Sequence, residues 1–149
     1  MKFKVWCKNK NEWEKDACLL TPNGDLIHRS ARGTLVPLNP DTHIPVFHTG
    51  LKDKNGQEIY EGDIVRQTFH RETPMEYYED QVYIEYDGCH IGQTVIIPSK
   101  GACIRNPFLK LTVDGELEHE GISHQYKNIK SYRCEVIGNI YENPELPKS

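Results

Sequence analysis

No stretch of this chain stays apolar for more than about five residues, against the ~20 that a membrane helix needs, so no helical span is expected. Its start lacks a basic segment leading into an apolar core, which argues against a secretory leader. The five cysteines are odd in number, scattered from Cys7 to Cys134, and include no Cys-x-x-Cys pair. That pattern excludes a disulfide framework and reads as free thiols in a reducing compartment, so a bacterial-type cytoplasm is the expected location. Also missing is any dozen-residue window with apolar side chains at helical spacing, which excludes a helical bundle. No phosphate loop, dinucleotide fingerprint or Gly-x-Ser-x-Gly setting appears, and no cofactor or metal is expected.

What the chain does have is β-pattern and turn chemistry. Its 149 residues suit one domain with or without an appendage, and 37% apolar content is enough for a core without staples. Phe3-Lys4-Val5-Trp6-Cys7 alternates as a half-buried strand does, with Phe3, Val5 and Cys7 on one side. Thr21-Pro22-Asn23-Gly24 separates two short apolar runs and predicts a hairpin. Pro37, Pro40 and Pro45 follow, and their missing N–H groups predict an extended connection over 33–46. Asn55-Gly56 reads as the positive-φ pair of a tight hairpin joining Thr49–Leu51 to Glu58–Tyr60. Asp53, Glu61 and Asp63 then read as acceptors for turn N–H groups. Further strands are expected at Ile64–Phe69, Gln81–Tyr86, Gln93–Ile97, Leu109–Val113, Glu116–His119 and Cys134–Tyr141. Arg71 to Asp80, with Pro74 and four acids, reads as a loop or short irregular helix. The expected architecture is mostly β with little helix: an N-terminal β unit at 1–36, a Pro-rich connection at 37–47, and a small, partly open β-barrel core with short hairpins at 48–149.

Three strings carry a family resemblance. Thr49-Gly50-Leu51-Lys52-Asp53-Lys54-Asn55-Gly56 leads to Glu58-Ile59-Tyr60-Glu61-Gly62-Asp63-Ile64-Val65, and the tail reads Val136-Ile137-Gly138-Asn139-Ile140-Tyr141-Glu142-Asn143-Pro144-Glu145-Leu146. With the weaker opening Lys2-Phe3-Lys4-Val5-Trp6, this resembles the signature of the YopX family, small proteins of phages and prophages. The resemblance implies a β-rich, barrel-like core and subunits that self-associate. It implies no reaction and no catalytic residues.

Candidate chemistry is thin. Asp53 to Glu58 is similar to a calcium loop, but its glycine falls at position four instead of six and Ile64 stands where the bidentate Glu belongs. His119 and His124 are five apart, one too many for two zinc ligands on a helix face. Cys89 and His90, as neighbours in a strand, point to opposite faces. A hydrolase or metal site assembled from His and Cys residues distant in sequence is one alternative.

Net charge is −4, yet residues 1–36 hold seven Lys/Arg against four Asp/Glu, and residues 70–90 hold one Arg against six acids. Trp6 and Trp13 with Lys8, Lys10 and Lys15 form a candidate aromatic and basic surface for nucleic acid or another partner. The acidic run Glu72–Asp80, with Tyr77 and Tyr78, reads as a solvated loop or as a mimic of phosphate charge. The leading expectation is a non-enzymatic, homo-oligomeric accessory module that binds a host or phage macromolecule. A nucleic-acid-binding small barrel is the alternative.

Overall fold

The computed structural model describes residues 2–77 and 80–146, the side chains of 76, 77, 80 and 81 excepted. The chain is mostly strand, with one 3₁₀ turn and no α-helix among the described residues. It divides into two compact units, Met1–His48 and Thr49–Ser149.

In the first unit, β1 (Phe3–Cys7) pairs antiparallel with β2 (Glu12–Trp13) and with β6 (His43–Lys52), which continues into the second unit. Val5, Trp6 and Cys7 are all buried, so β1 is covered on both faces where simple alternation would leave one wet. Trp13 makes the difference: opposite Trp6 in the register, its ring meets that indole edge-on at 4.9 Å. A second sheet of β3 (Cys18–Leu20), β4 (Leu26–Arg29) and β5 (Leu35–Pro37) forms an antiparallel meander.

Two stretches of the proline segment are therefore built into this unit as strand, with Pro40 in the turn between them. Pro37 lies in an end strand, and Pro45 faces Val5 in the part of β6 that precedes the next hairpin. Positions without a second strand partner tolerate a missing N–H. Later prolines obey the same rule. Pro74 sits beyond the reach of the strand that pairs at 63–67, and Pro107 sits in a bulge.

The second unit opens with the β6–β7 hairpin, β7 being Glu58–Tyr60. Its turn differs from the expected one. Gly56 has φ 84°, whereas Asn55 does not enter the positive region. Gly56 N–H donates to the Asp53 carbonyl at 3.0 Å and Asp53 N–H to that of Gln57 at 2.8 Å, a type I turn closed by a glycine bulge. The acceptor reading of the aspartates fits the geometry. Buried Asp53 takes the N–H groups of Asn55 and Gln57 on Oδ1, both at 2.9 Å, and that of Val136 on Oδ2 at 3.0 Å. Asp63 takes Tyr60 N–H at 2.7 Å.

The main sheet is a curled half-barrel of β8 (Asp63–Tyr77), β9 (Asp80–Ile97), β10 (Gly101–Val113), β11 (Glu116–Ile122) and β13 (Cys134–Asn139), in the order β11-β10-β9-β8-β13. A short β12 (Lys127–Asn128) also pairs with β10. Ile59, Val65, Ile104, Ile129 and Cys134 form its core. The residues expected as a loop from Arg71 are instead the outer half of β8, laddered to β9 through Tyr77. Cross-strand contacts offset part of the run's charge: His70 faces Asp87, and the Arg71 guanidinium lies 4.9 Å from the Tyr86 ring centre, while Glu72 stands opposite Glu85. Of the acidic run, Tyr78 and Glu79, together with the side chains of Glu76, Tyr77 and Asp80, lie outside the described residues. The two runs expected at 81–86 and 93–97 are one strand.

Candidate functional site

The segment after β12 is irregular, and a buried glutamine fixes it. Gln67 of β8 is 1% exposed; its Nε2 donates to the Asn128 carbonyl at 3.1 Å, and its Oε1 accepts Lys130 N–H at 2.7 Å. Ile129 seals the core beside it and bonds the Ala102 carbonyl through its N–H at 3.3 Å. Cys103 Sγ donates to Asn128 Oδ1 at 3.3 Å. Anchored at 128–130, the chain holds Lys127 and Lys130 outward before entering the 3₁₀ turn Ser131–Arg133. Arg133 Nη1 donates to the Thr68 carbonyl at 3.3 Å.

A groove of about 650 Å³ and another of about 630 Å³ meet at Arg133. The smaller is lined by Lys100, Lys127, Lys130 and Arg133 with Ser99, Asn128 and Tyr126, and no carboxylate is among these residues. The larger holds Arg66, His70, Asp87 and Cys89 over a floor that includes Gly88. Two tyrosines stand on this surface, Tyr126 at 47% and Tyr132 at 77% exposure. The second unit as a whole carries eleven Lys/Arg against seventeen Asp/Glu, so the acid-free groove is a local reversal of sign.

Buried His90 registers that field from beneath. Burial, and then the cations Lys127 and Arg133, lower its pKa from 6.5 to about 4. A histidine kept neutral in the fold contributes stability that is full above pH 6.5 and falls as the pH drops toward 4. A shift of that size sets a ceiling of about 3 kcal/mol, and screening of a partly solvated ring reduces it to about 1 kcal/mol between pH 7 and 5. Urea midpoints at the two pH values should show that loss, and His90→Gln should flatten it. Equal slopes in both proteins would remove His90 from this account.

His70 sits between two carboxylates at the rim of the larger groove. Its Nδ1 bonds Asp87 Oδ1 at 2.6 Å and its Nε2 faces Glu72 Oε1 at 3.5 Å. The Asp87 hydrogen bond and charge, with Glu72 behind them, raise its pKa. Both ring nitrogens of this imidazole are thus turned toward carboxylates, and neither is directed at the Cys89 thiol in a hydrogen bond among those described. Elsewhere burial raises the Cys103 thiol, and burial together with Asp53 and Asp63 pushes that of Cys134 up to about 12, which keeps both as inert thiols.

The N-terminal candidate surface is not assembled as expected. Trp6 is 4% exposed, which leaves its ring no face for a base, and Lys4 Nζ lies 4.0 Å from the Trp13 ring centre. Lys8, Lys10 and Lys15 are exposed around a packed indole pair. The residues that sequence reasoning missed are Lys100, Lys127, Lys130, Arg133, Tyr126 and Tyr132. One signal was available: residues 121–134 hold three Lys/Arg and no acid in an otherwise acidic half.

The crystal structure of protein EF1440 from Enterococcus faecalis is similar at 22% identity and a TM-score of 0.46, over 97% of this chain and 95% of that one. No curated protein matches the chain. The two longest signature strings run through the hairpin held by Asp53 and the tail strand that Asp53 bonds, and the YopX protein family model matches residues 2–148; the chain belongs to that family.

Proposed function

We propose that this protein is a non-enzymatic accessory module of phage or prophage origin, acting in the bacterial cytoplasm, whose half-barrel binds single-stranded nucleic acid. One observation carries the reading: four cations line a groove without a carboxylate, and two exposed tyrosines stand beside it. Cations neutralise phosphates and release counterions, while exposed rings stack on bases of any sequence. Single strands suit the site better than duplex because their bases are free to reach the tyrosines.

Anisotropy of a labelled oligo-dT tests the proposal. Three or four phosphate contacts give a log–log salt slope of about −2 to −3. Lys127→Glu/Lys130→Glu, at two exposed positions, should weaken binding about tenfold or more and leave the far-UV spectrum unchanged. No binding at low salt, or binding indifferent to salt, sinks the proposal.

Self-association is the second part of the reading. Leu19, Leu20, Leu35 and Val36 are exposed on the β3-β4-β5 sheet, whose outer strands have no further strand partner among the described residues. Such edges pair readily with a second copy of themselves. Light scattering should find a defined oligomer that Leu35→Lys weakens; a strict monomer at high concentration would end this part.

A further inference from the structure

We propose that Glu14, Asp16 and His28 form a binding site for a first-row divalent transition-metal ion, which clips together the two sheets of the first unit. Their ligand atoms all lie within 4.8 Å of one another. They come from different places in the unit. Glu14 follows β2 and is pinned by its N–H to the Val5 carbonyl at 2.8 Å, Asp16 lies in the connection to β3, and His28 is on β4 opposite Cys18. Glu14 thus belongs with the β1-β2-β6 sheet and His28 with the meander.

A fourth group stands beside them. His43 of β6 places Nε2 3.8 Å from Glu14 Oε2. Thr42 Oγ1 lies 2.8 Å from His43 Nδ1 and 3.2 Å from the Asn39 carbonyl, and its one proton serves one of these two contacts. In the Nδ1–H tautomer, Nε2 keeps its lone pair and stands within reach of the same site as a second nitrogen ligand. Nδ1 held by a neighbouring oxygen is also how metal-binding imidazoles are commonly oriented.

The chemistry of the set narrows the ion. One imidazole and two carboxylates, with a second imidazole in reach, suit Zn²⁺, Mn²⁺, Fe²⁺ or Co²⁺, whereas Ca²⁺ and Mg²⁺ prefer oxygen alone. Bonds of about 2.0–2.2 Å place ligand atoms about 3.0–3.6 Å apart, so the cluster must contract by roughly 1 Å. His28 Nε2 and Asp16 Oδ2 are already 2.8 Å apart, and Asp16 is 63% exposed and able to move. The ion takes the place of the proton that His28 now shares with Asp16.

The unit has a reason to need such a clip. It spans 48 residues, and its buried apolar side chains are Val5, Trp6, Cys7, Leu26 and Val46. Domains below about 70–80 residues gain little from one core, and natural ones add a metal or another staple.

The chain's two tryptophans, Trp6 and Trp13, both lie in this unit, so their emission reports on it alone. The experiment uses the full chain after chelator treatment, titrated with Zn²⁺, and in parallel with Co²⁺ and Ca²⁺. One equivalent of Zn²⁺ is expected, with a raised melting midpoint by tryptophan emission, and Co²⁺ should quench that emission. His28→Gln and, at the exposed position, Asp16→Asn should each weaken Zn²⁺ binding tenfold or more. Absence of stoichiometric Zn²⁺ overturns the proposal, and so does equal binding by both variants or an equal response to Ca²⁺.

Discussion

Replacing Gly88 by Ala is expected to cost about 3 kcal/mol or more, a large share of a domain's stability. Gly88 lies in the middle of β9, paired with Phe69 of β8 on one side and Leu111 of β10 on the other. A Cβ there would collide with the Lys110 carbonyl oxygen and come within 2.6 Å of Phe69 Cζ. A side chain can step aside by changing rotamer, but a ladder carbonyl moves only if the strands part. The Phe69 ring covers the glycine and also sets the floor of the groove beside Arg133, so damage should reach both stability and oligonucleotide binding. Gly56→Ala makes the comparison informative. Nothing lies within 4 Å of its would-be Cβ, so only the left-handed backbone is penalised, at about 1–2 kcal/mol. Urea denaturation should rank the two variants in that order. If Gly88→Ala melts like Gly56→Ala, the strands around Gly88 are looser than described.

The same glycine shows where the sequence stops being legible. Turn residues and short apolar alternations mark the hairpins at 23–24, 55–56 and 114–115, because local chemistry decides a tight turn. β9 is hidden because Gly88 and Gly92 look like breaks in a strand, while their actual service is room for Phe69 and Ile104. Only the facing strands supply that reason. Pro74 misleads in the same manner. It reads as a loop marker until the sheet order shows its N–H side without a partner.

Sites are harder to read because they depend on what is exposed. The pairing of Trp6 with Trp13 turned the most inviting aromatic pair into packing, since two indoles opposite each other bury more surface together than apart. Lys127, Lys130 and Arg133 were inconspicuous, being three apart in a segment without regular structure. Gln67, more than fifty residues earlier, holds them in place, and nothing about a glutamine in a strand announces that duty.

Asp53→Ala should be the other severe loss, about 3–4 kcal/mol, from a residue that resembles a ligand and acts as a tie. Its carboxylate serves the turn through Oδ1 and reaches across to Val136 N–H of β13 through Oδ2. Charge-assisted bonds of this kind are worth about 1.5–3 kcal/mol each, and removal orphans a partly buried donor in the sheet. Asn55 and Gln57 are exposed, so water repairs most of their loss; the bond to β13 is the costly one. Asp53→Asn separates charge from geometry. With its oxygen kept for the two turn N–H groups, its NH₂ must face Val136 N–H, donor against donor, and about 2 kcal/mol should still be lost. Asp53→Glu keeps the charge but lengthens the reach, and should fall between wild type and Ala. A urea midpoint unchanged in Asp53→Ala would show that the hairpin and β13 are held by packing alone. A loss in Ala that Asn fully restores would assign the carboxylate to the turn and not to the tie across the sheet.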